Sequence, residues 1–210
     1  MRLGHRVFGP EQLVVMAVVS AGSVTAAMER VHAMVAEGAD IVEISGGGQE
    51  TVPFVAAVRE AYPELVIGVR AGRPEVFREA RAAGADLVSG SGSWLAEVAA
   101  AGAGVVVPLV QARLAVEMGV AAERIVVAAR SGTEVAGLVA TGWPVLVPLA
   151  EGDLATAAVA GWLGARVFRV DRVLPTWRAL RMVAAIRGDI PPARAVRGLA
   201  LSPVFSAAKL

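Results

Sequence analysis

The chain has 210 residues, of which 56% are hydrophobic, 5% aromatic and 19% charged, with a formal net charge of +1. This length supports a single core burying about 70% of the unfolded chain's surface, and the composition excludes a disordered chain, an acidic tail and a polybasic nucleic-acid-binding protein. There is no Cys and no Asn, 19 of the 20 basic residues are Arg, and Lys209 and the histidines His5 and His32 stand alone, so disulfides, thiolate zinc sites, a P-loop and a multi-histidine metal site lack the residues they need.

Along the chain, Arg2 and Arg6 precede a short apolar run from Leu13 to Val19 that follows Pro10 and Glu11. The run reads as a first strand, Val14 to Ser20, rather than a secretion signal, so a cytoplasmic location is expected. Seven further β-branched runs follow: Asp40 to Ser45, Leu65 to Arg70, Ala85 to Ser89, Gly104 to Val110, Arg124 to Ala129, Val145 to Ala150 and Val167 to Val170. Between and after them, Ala-rich amphipathic stretches predict helices over Val24 to Ala36, Thr51 to Ala61, Pro74 to Ala83, Trp94 to Ala101, Gln111 to Met118, Thr133 to Ala140, Leu154 to Leu163 and Thr176 to Arg187. The 16 uncharged residues from Val135 to Ala150 contain Thr141-Gly142-Trp143-Pro144, a helix end and turn, so no membrane span is expected.

Helix exits carry Gly just before the next strand, as in Gly38-Ala39-Asp40, Gly84-Ala85-Asp86 and Gly164-Ala165-Arg166. The strands are nearly continuous Val, Ile and Leu, as in a parallel sheet covered on both faces. Eight such units predict a compact (β/α)8 TIM barrel over residues 1–190, with a doubly wound open sheet as the alternative. The tail, residues 191–210, lacks the rhythm and is expected to be loosely ordered.

In a barrel of this kind the site lies at the C-terminal ends of the strands. Those ends carry Ser20; Glu43 and Ser45; Arg70; Ser89 and Ser91; Gln111; Arg130 and Ser131; Glu151 and Asp153; and Arg169, Asp171 and Arg172. Glu43 lies inside an apolar run, where an unpaired carboxylate is costly, so it is expected to face a wet barrel mouth or a cation. Glu43, Arg70, Arg130, Arg169 and Asp171 form the candidate ligand-binding set, with Glu43 the one candidate acid or base. Two uses fit them: binding a small anion, or pairing with one another to seal the barrel top.

Ser45-Gly46-Gly47-Gly48-Gln49 opens a helix and suits either a flexible turn or an anion. In Ser89-Gly90-Ser91-Gly92-Ser93, Ser93 suits a helix N-cap. His32, beside Met28, Val31 and Val35, reads as structural. No cofactor, metal, nucleic acid or membrane partner is expected. The last two helices carry excess apolar residues, among them Val159, Trp162, Trp177, Met182 and Ile186, which predicts self-association.

Val15 to Val19, Met34 to Ile44, Ala82 to Val88, Gly164 to Asp171 and the closing Ala179 to Gly188 resemble the framework of dihydropteroate synthase, a (β/α)8 pterin-binding enzyme of folate synthesis. The resemblance implies a pterin site, a magnesium–diphosphate site and a dimer, either with itself or with a true synthase. It also implies which functional groups are missing. Ser20 stands at the family's strand-one Asn, and the loop after it is cut to Ala21-Gly22-Ser23. Glu43 matches the strand-two acid, but the pterin-site Asp on strand three is Arg70 and the Asn-Asp pair on strand four is Ser89-Gly90. The later Asp-Pro-Gly reads Ala128-Ala129-Arg130, the Ser-Arg-Lys reads Ala150-Glu151-Gly152, and the Arg-Val-His reads Arg169-Val170-Asp171, so only Arg169 is retained outright. The expected function is therefore a barrel of this family that has lost synthase chemistry and binds a partner, a small anion or a pterin. The alternatives are a working enzyme of folate metabolism, or one of changed specificity that uses Glu43 and the arginines on an anionic substrate.

Overall fold

A computed structural model of the chain describes residues 1–46, 50–90 and 94–191. Gly47, Gly48, Gln49, Ser91, Gly92 and Ser93, for which the sequence suggested roles, and the tail from Pro192 lie outside the described residues. A short antiparallel hairpin, β1 (Arg2–Leu3) and β2 (Arg6–Val7), precedes eight parallel strands. These are β3 (Val14–Ser20), β4 (Ile41–Ser45), β5 (Val66–Arg70), β6 (Leu87–Ser89), β7 (Gly104–Val107), β8 (Ile125–Ala128), β9 (Val145–Pro148) and β10 (Val167–Val170). They pair in chain order, and β10 pairs back onto β3 through Val167 opposite Val14, so the sheet closes and the open-sheet alternative falls.

The helices are α1 (Val24–Ala36), α2 (Thr51–Ala61), α3 (Pro74–Ala82), α4 (Leu95–Ala100), α5 (Leu109–Glu117), α6 (Val135–Val139), α7 (Leu154–Trp162) and α8 (Val173–Arg187). Among the described residues no helix is long and apolar enough to cross a membrane. Two boundaries differ from the sequence reading because of proline. The expected strand Gly104 to Val110 stops at Val107, since Pro108 has no N–H for the ladder and its φ of −65° leads straight into α5. Helix α8 starts at Val173 rather than Thr176, because Pro175 falls in the first turn, where no intrahelical N–H is needed.

Side chains alternate between two cores. Val14, Met16, Ile41, Val66, Leu87, Val106, Val126, Leu146 and Val167 fill the barrel, and Leu3 and Phe8 of the hairpin region plug its lower end. The alternate residues of each strand, such as Val15, Val42 and Ile67, pack against the helices. The hairpin went unpredicted because two-residue strands are too short to show alternation.

The repeated Gly-Ala-Asp exits fasten this lower end. Gly38 and Gly84 adopt φ of 104° and 112°, which turns the chain out of the helix at little steric cost. Each following Asp then accepts a backbone N–H from a neighbouring strand: Asp40 Oδ2 from Val15 at 3.1 Å and Asp86 Oδ2 from Ile67 at 3.0 Å. Arg59 reaches Asp86 at 2.5 Å and also donates to the Gly84 and Leu65 carbonyls, while Arg6 of the hairpin donates to the Asp40 carbonyl at 3.2 Å. Asp86→Ala would strand a buried N–H and weaken the hold on Arg59. The expected loss is about 3 kcal/mol in urea unfolding, and a loss below about 1 kcal/mol would show that this fastening is dispensable.

Candidate functional site

Strand register decides which side chains face the mouth. Ser20, Ser45, Arg70 and Ser89 stand opposite one another on β3, β4, β5 and β6 and form one row at the upper rim. One step below runs the row of Val18, Glu43, Gly68 and Leu87. Glu43 therefore points into the barrel from β4 and is 0% exposed.

Three donors converge on it. Arg70 Nη2 reaches Oε2 at 3.0 Å, Arg169 Nη2 reaches Oε1 at 2.7 Å, and the Ser89 hydroxyl donates to Oε1 at 2.6 Å. Arg169 Nη2 also lies 3.0 Å from Ser89 Oγ, which closes a triangle of carboxylate, guanidinium and hydroxyl. Glu43 on β4 and Ser89 on β6 meet across β5, where the residue level with Glu43 is Gly68. Burial pushes the Arg169 guanidinium below the usual arginine range, and the charge of Glu43 opposes that shift. The side chain of Arg70, by contrast, is 50% exposed.

The structure thus brings together Glu43, Arg70 and Arg169 from the sequence-derived set and adds Ser89. Arg130 stands apart: it is exposed and bound to Glu134 four residues on, through its Nη2 at 2.5 Å and its Nε at 2.8 Å. Strand β8 ends two residues before it, so nothing aims its side chain inward. Asp171 is exposed past the end of β10 and forms no ion pair among the described residues. Asp153 caps α7, its carboxylate accepting from the Thr156 N–H at 3.0 Å. His32 is exposed and its ring nitrogen lies 2.5 Å from the Tyr62 hydroxyl, a surface contact.

Ser89 carried no signal in the sequence beyond its place at a strand end, because only closure of the barrel sets it against Glu43. A magnesium site of the kind the resemblance implies finds little here. Ser20 has replaced the amide ligand, its neighbour Ser45 lies 3.5 Å away, and Glu43 is already engaged. Among the described residues no group of three His, Asp or Glu side chains is arranged to hold a metal. Two cavities, of 370 and 280 Å³, lie at the other end of the barrel, around Pro10, Glu11 and Leu13, away from this chemistry.

Glu43→Ala would leave Arg169, which is only 17% exposed, without its carboxylate. The expected loss of stability is about 3 kcal/mol, the low end for a broken buried pair because Arg169 keeps some access to water. Arg70→Ala removes a half-solvated partner and should cost about 1 kcal/mol or less. Equal losses for the two variants in denaturant titrations would contradict this ordering.

No protein-family model matches the chain. Curated relatives named inactive dihydropteroate synthase 2, from Mycobacterium tuberculosis and Mycobacterium leprae, are each 34% identical to it over an alignment of 253 positions. The alignments span 83% of this chain and 80% and 87% of the respective relatives, and they are longer than the chain itself, so the relatives carry residues that this protein lacks. A solved Mycobacterium tuberculosis structure superposes with a TM-score of 0.79 at 34% identity, covering 87% of this chain and 94% of that one. A Yersinia pestis dihydropteroate synthase in complex with a sulfonamide drug gives a TM-score of 0.82 at 17% identity, covering 90% and 99%, which shows the shared fold. The mycobacterial identity extends over most of both chains, and the protein belongs to the dihydropteroate synthase family.

Proposed function

We propose that this protein is a non-catalytic member of the family, which presents a positively charged barrel mouth to a small anion and an apolar helical face to a partner subunit. The observation that carries this reading is the commitment of Glu43. Both carboxylate oxygens are occupied by the chain's own donors, and the side chain is fully buried. As a general base it would first have to release an arginine, and a pterin N–H group approaching Oε2 would have to displace Arg70 or share that oxygen with it. With one carboxylate facing two guanidiniums, the cluster carries an excess positive charge, and half-exposed Arg70 turns that charge towards solvent. The relatives named inactive support the non-catalytic part of this reading, and the cytoplasmic location expected from the sequence belongs to the proposal. The assay is dihydropteroate formation from the pterin diphosphate and p-aminobenzoate with magnesium. No turnover above a boiled-protein control is expected, and turnover abolished by Glu43→Gln would reinstate the enzyme.

The partner half of the reading rests on α7 and α8. Helix α7 contains no charged residue. Val159, Trp162 and Leu163 on or just after it, with Met182 and Ile186 on α8, are large apolar side chains left in water. Trp177, the other tryptophan of the sequence reading, is instead seated over Gly38, where a Cβ would come within 2.9 Å of its ring. An apolar surface of this kind suits a second copy of the chain or a true synthase. Light scattering at micromolar concentration should give a dimer, and Trp162→Glu should shift it to monomer. A wild-type monomer, unchanged by adding a synthase, removes the partner half of the proposal.

A further inference from the structure

The upper layer of the barrel is occupied by the protein's own side chain. Arg70 ends β5, directly above Gly68, and its guanidinium rests on Glu43 Oε2 at 3.0 Å, the only hydrogen bond of its side chain among the described residues. The other carboxylate oxygen needs no help from it, because Oε1 is held by Arg169 and Ser89. The residue beneath Arg70 has no side chain, so nothing else of β5 fills the volume beside the carboxylate. Arg70 is also half solvated, unlike Arg169. The arrangement is thus a fixed anion, charge-compensated on one side, with a planar N–H donor laid on the other side by a side chain that has a way out to water.

We propose that Arg70 is a built-in occupant of a guanidinium-binding site formed by Glu43 Oε2, with Gly68 leaving the room and Arg169 and Ser89 holding the carboxylate in place. The native chain fills this site itself. Removing the Arg70 head group leaves Glu43 Oε2 without that donor, while Oε1 keeps Arg169 and Ser89, and vacates the place of one planar guanidinium. The inference rests on the self-paired mouth described above, but it makes a separate demand: anion binding at the mouth should fall when Arg70 is lost, whereas guanidinium binding should appear. Failure of the guanidinium result leaves the synthase assay, and hence the non-catalytic reading, untouched.

The probe is methylguanidinium chloride at low millimolar concentration, with tetramethylammonium chloride as a cation of equal charge lacking N–H donors. It is titrated into the wild-type protein, Arg70→Ala and the double variant Arg70→Ala/Glu43→Gln, followed by amide NMR shifts of Ser45, Gly68 and Ser89. Arg70→Ala should bind methylguanidinium at least about tenfold more tightly than the wild type, equivalent to roughly 1.4 kcal/mol. Neither the double variant nor tetramethylammonium should reproduce the shifts. Arg70→Met, which keeps the apolar stem and lacks the head group, serves if Arg70→Ala folds poorly, and should also outbind the wild type. Equal affinity in wild type and variants, or binding that persists without the Glu43 carboxylate, overturns the proposal.

Discussion

A carboxylate inside a closed barrel must have its charge met there, since an uncompensated buried ion costs several kcal/mol. Glu43 is fully buried, and the arrangement of the mouth follows from satisfying it: an arginine from each of two other strands and a serine hydroxyl from a third. Elsewhere the barrel interior is apolar, with Met16, Ile41, Val66, Val126 and Leu146 among the side chains packed inside it. The ionic cluster is thus confined to one end. It also uses its own chemistry up, because the donors that neutralise Glu43 are the groups a substrate would otherwise bring.

The two ends of the barrel use charge differently. At the lower end Asp40 and Asp86 accept backbone N–H groups from strands β3 and β5, and Arg6 and Arg59 join these junctions to neighbouring carbonyls. Those contacts lock strand starts to helix exits and hold the hairpin that plugs the floor, which is a stability role consistent with that face of the fold. At the upper end the arginines point at a side chain rather than at the backbone, and one of them keeps half its surface in water. Backbone geometry at that end is therefore less dependent on the ionic groups, which leaves the mouth free to change in sequence while the frame persists.

Exposed apolar surface is concentrated rather than scattered. The outer faces of α7 and α8 carry Val159, Trp162, Met182 and Ile186, and α5 with the residue after it carries a second set, Val110, Leu114 and Met118. Helices that only had to cover the barrel would need one apolar stripe each. On α7 the stripe facing the core is made of Ala157, Ala160 and Gly161, all small, so that helix lies close to its neighbours while its larger apolar residues point outward.

The amino-acid sequence by itself determined the order and number of the strand and helix units, because continuous Val and Ile runs, Gly at helix exits and Ala-rich helical spacing are local signals that barely depend on context. It also singled out Glu43, because a carboxylate inside an apolar strand demands compensation wherever that strand goes. Which cations answer it was decided by tertiary structure. Arg70, Arg130 and Arg169 looked alike as strand-end arginines, but inward parity and strand length bring only Arg70 and Arg169 to the carboxylate, while Arg130, beyond a strand that ends at Ala128, turns to Glu134. Ser89 and the hairpin plug belong to the same class of feature. Their partners lie 46 residues away for Ser89 and across the whole barrel floor for Leu3 and Phe8, so their roles exist only once closure has brought distant strands together.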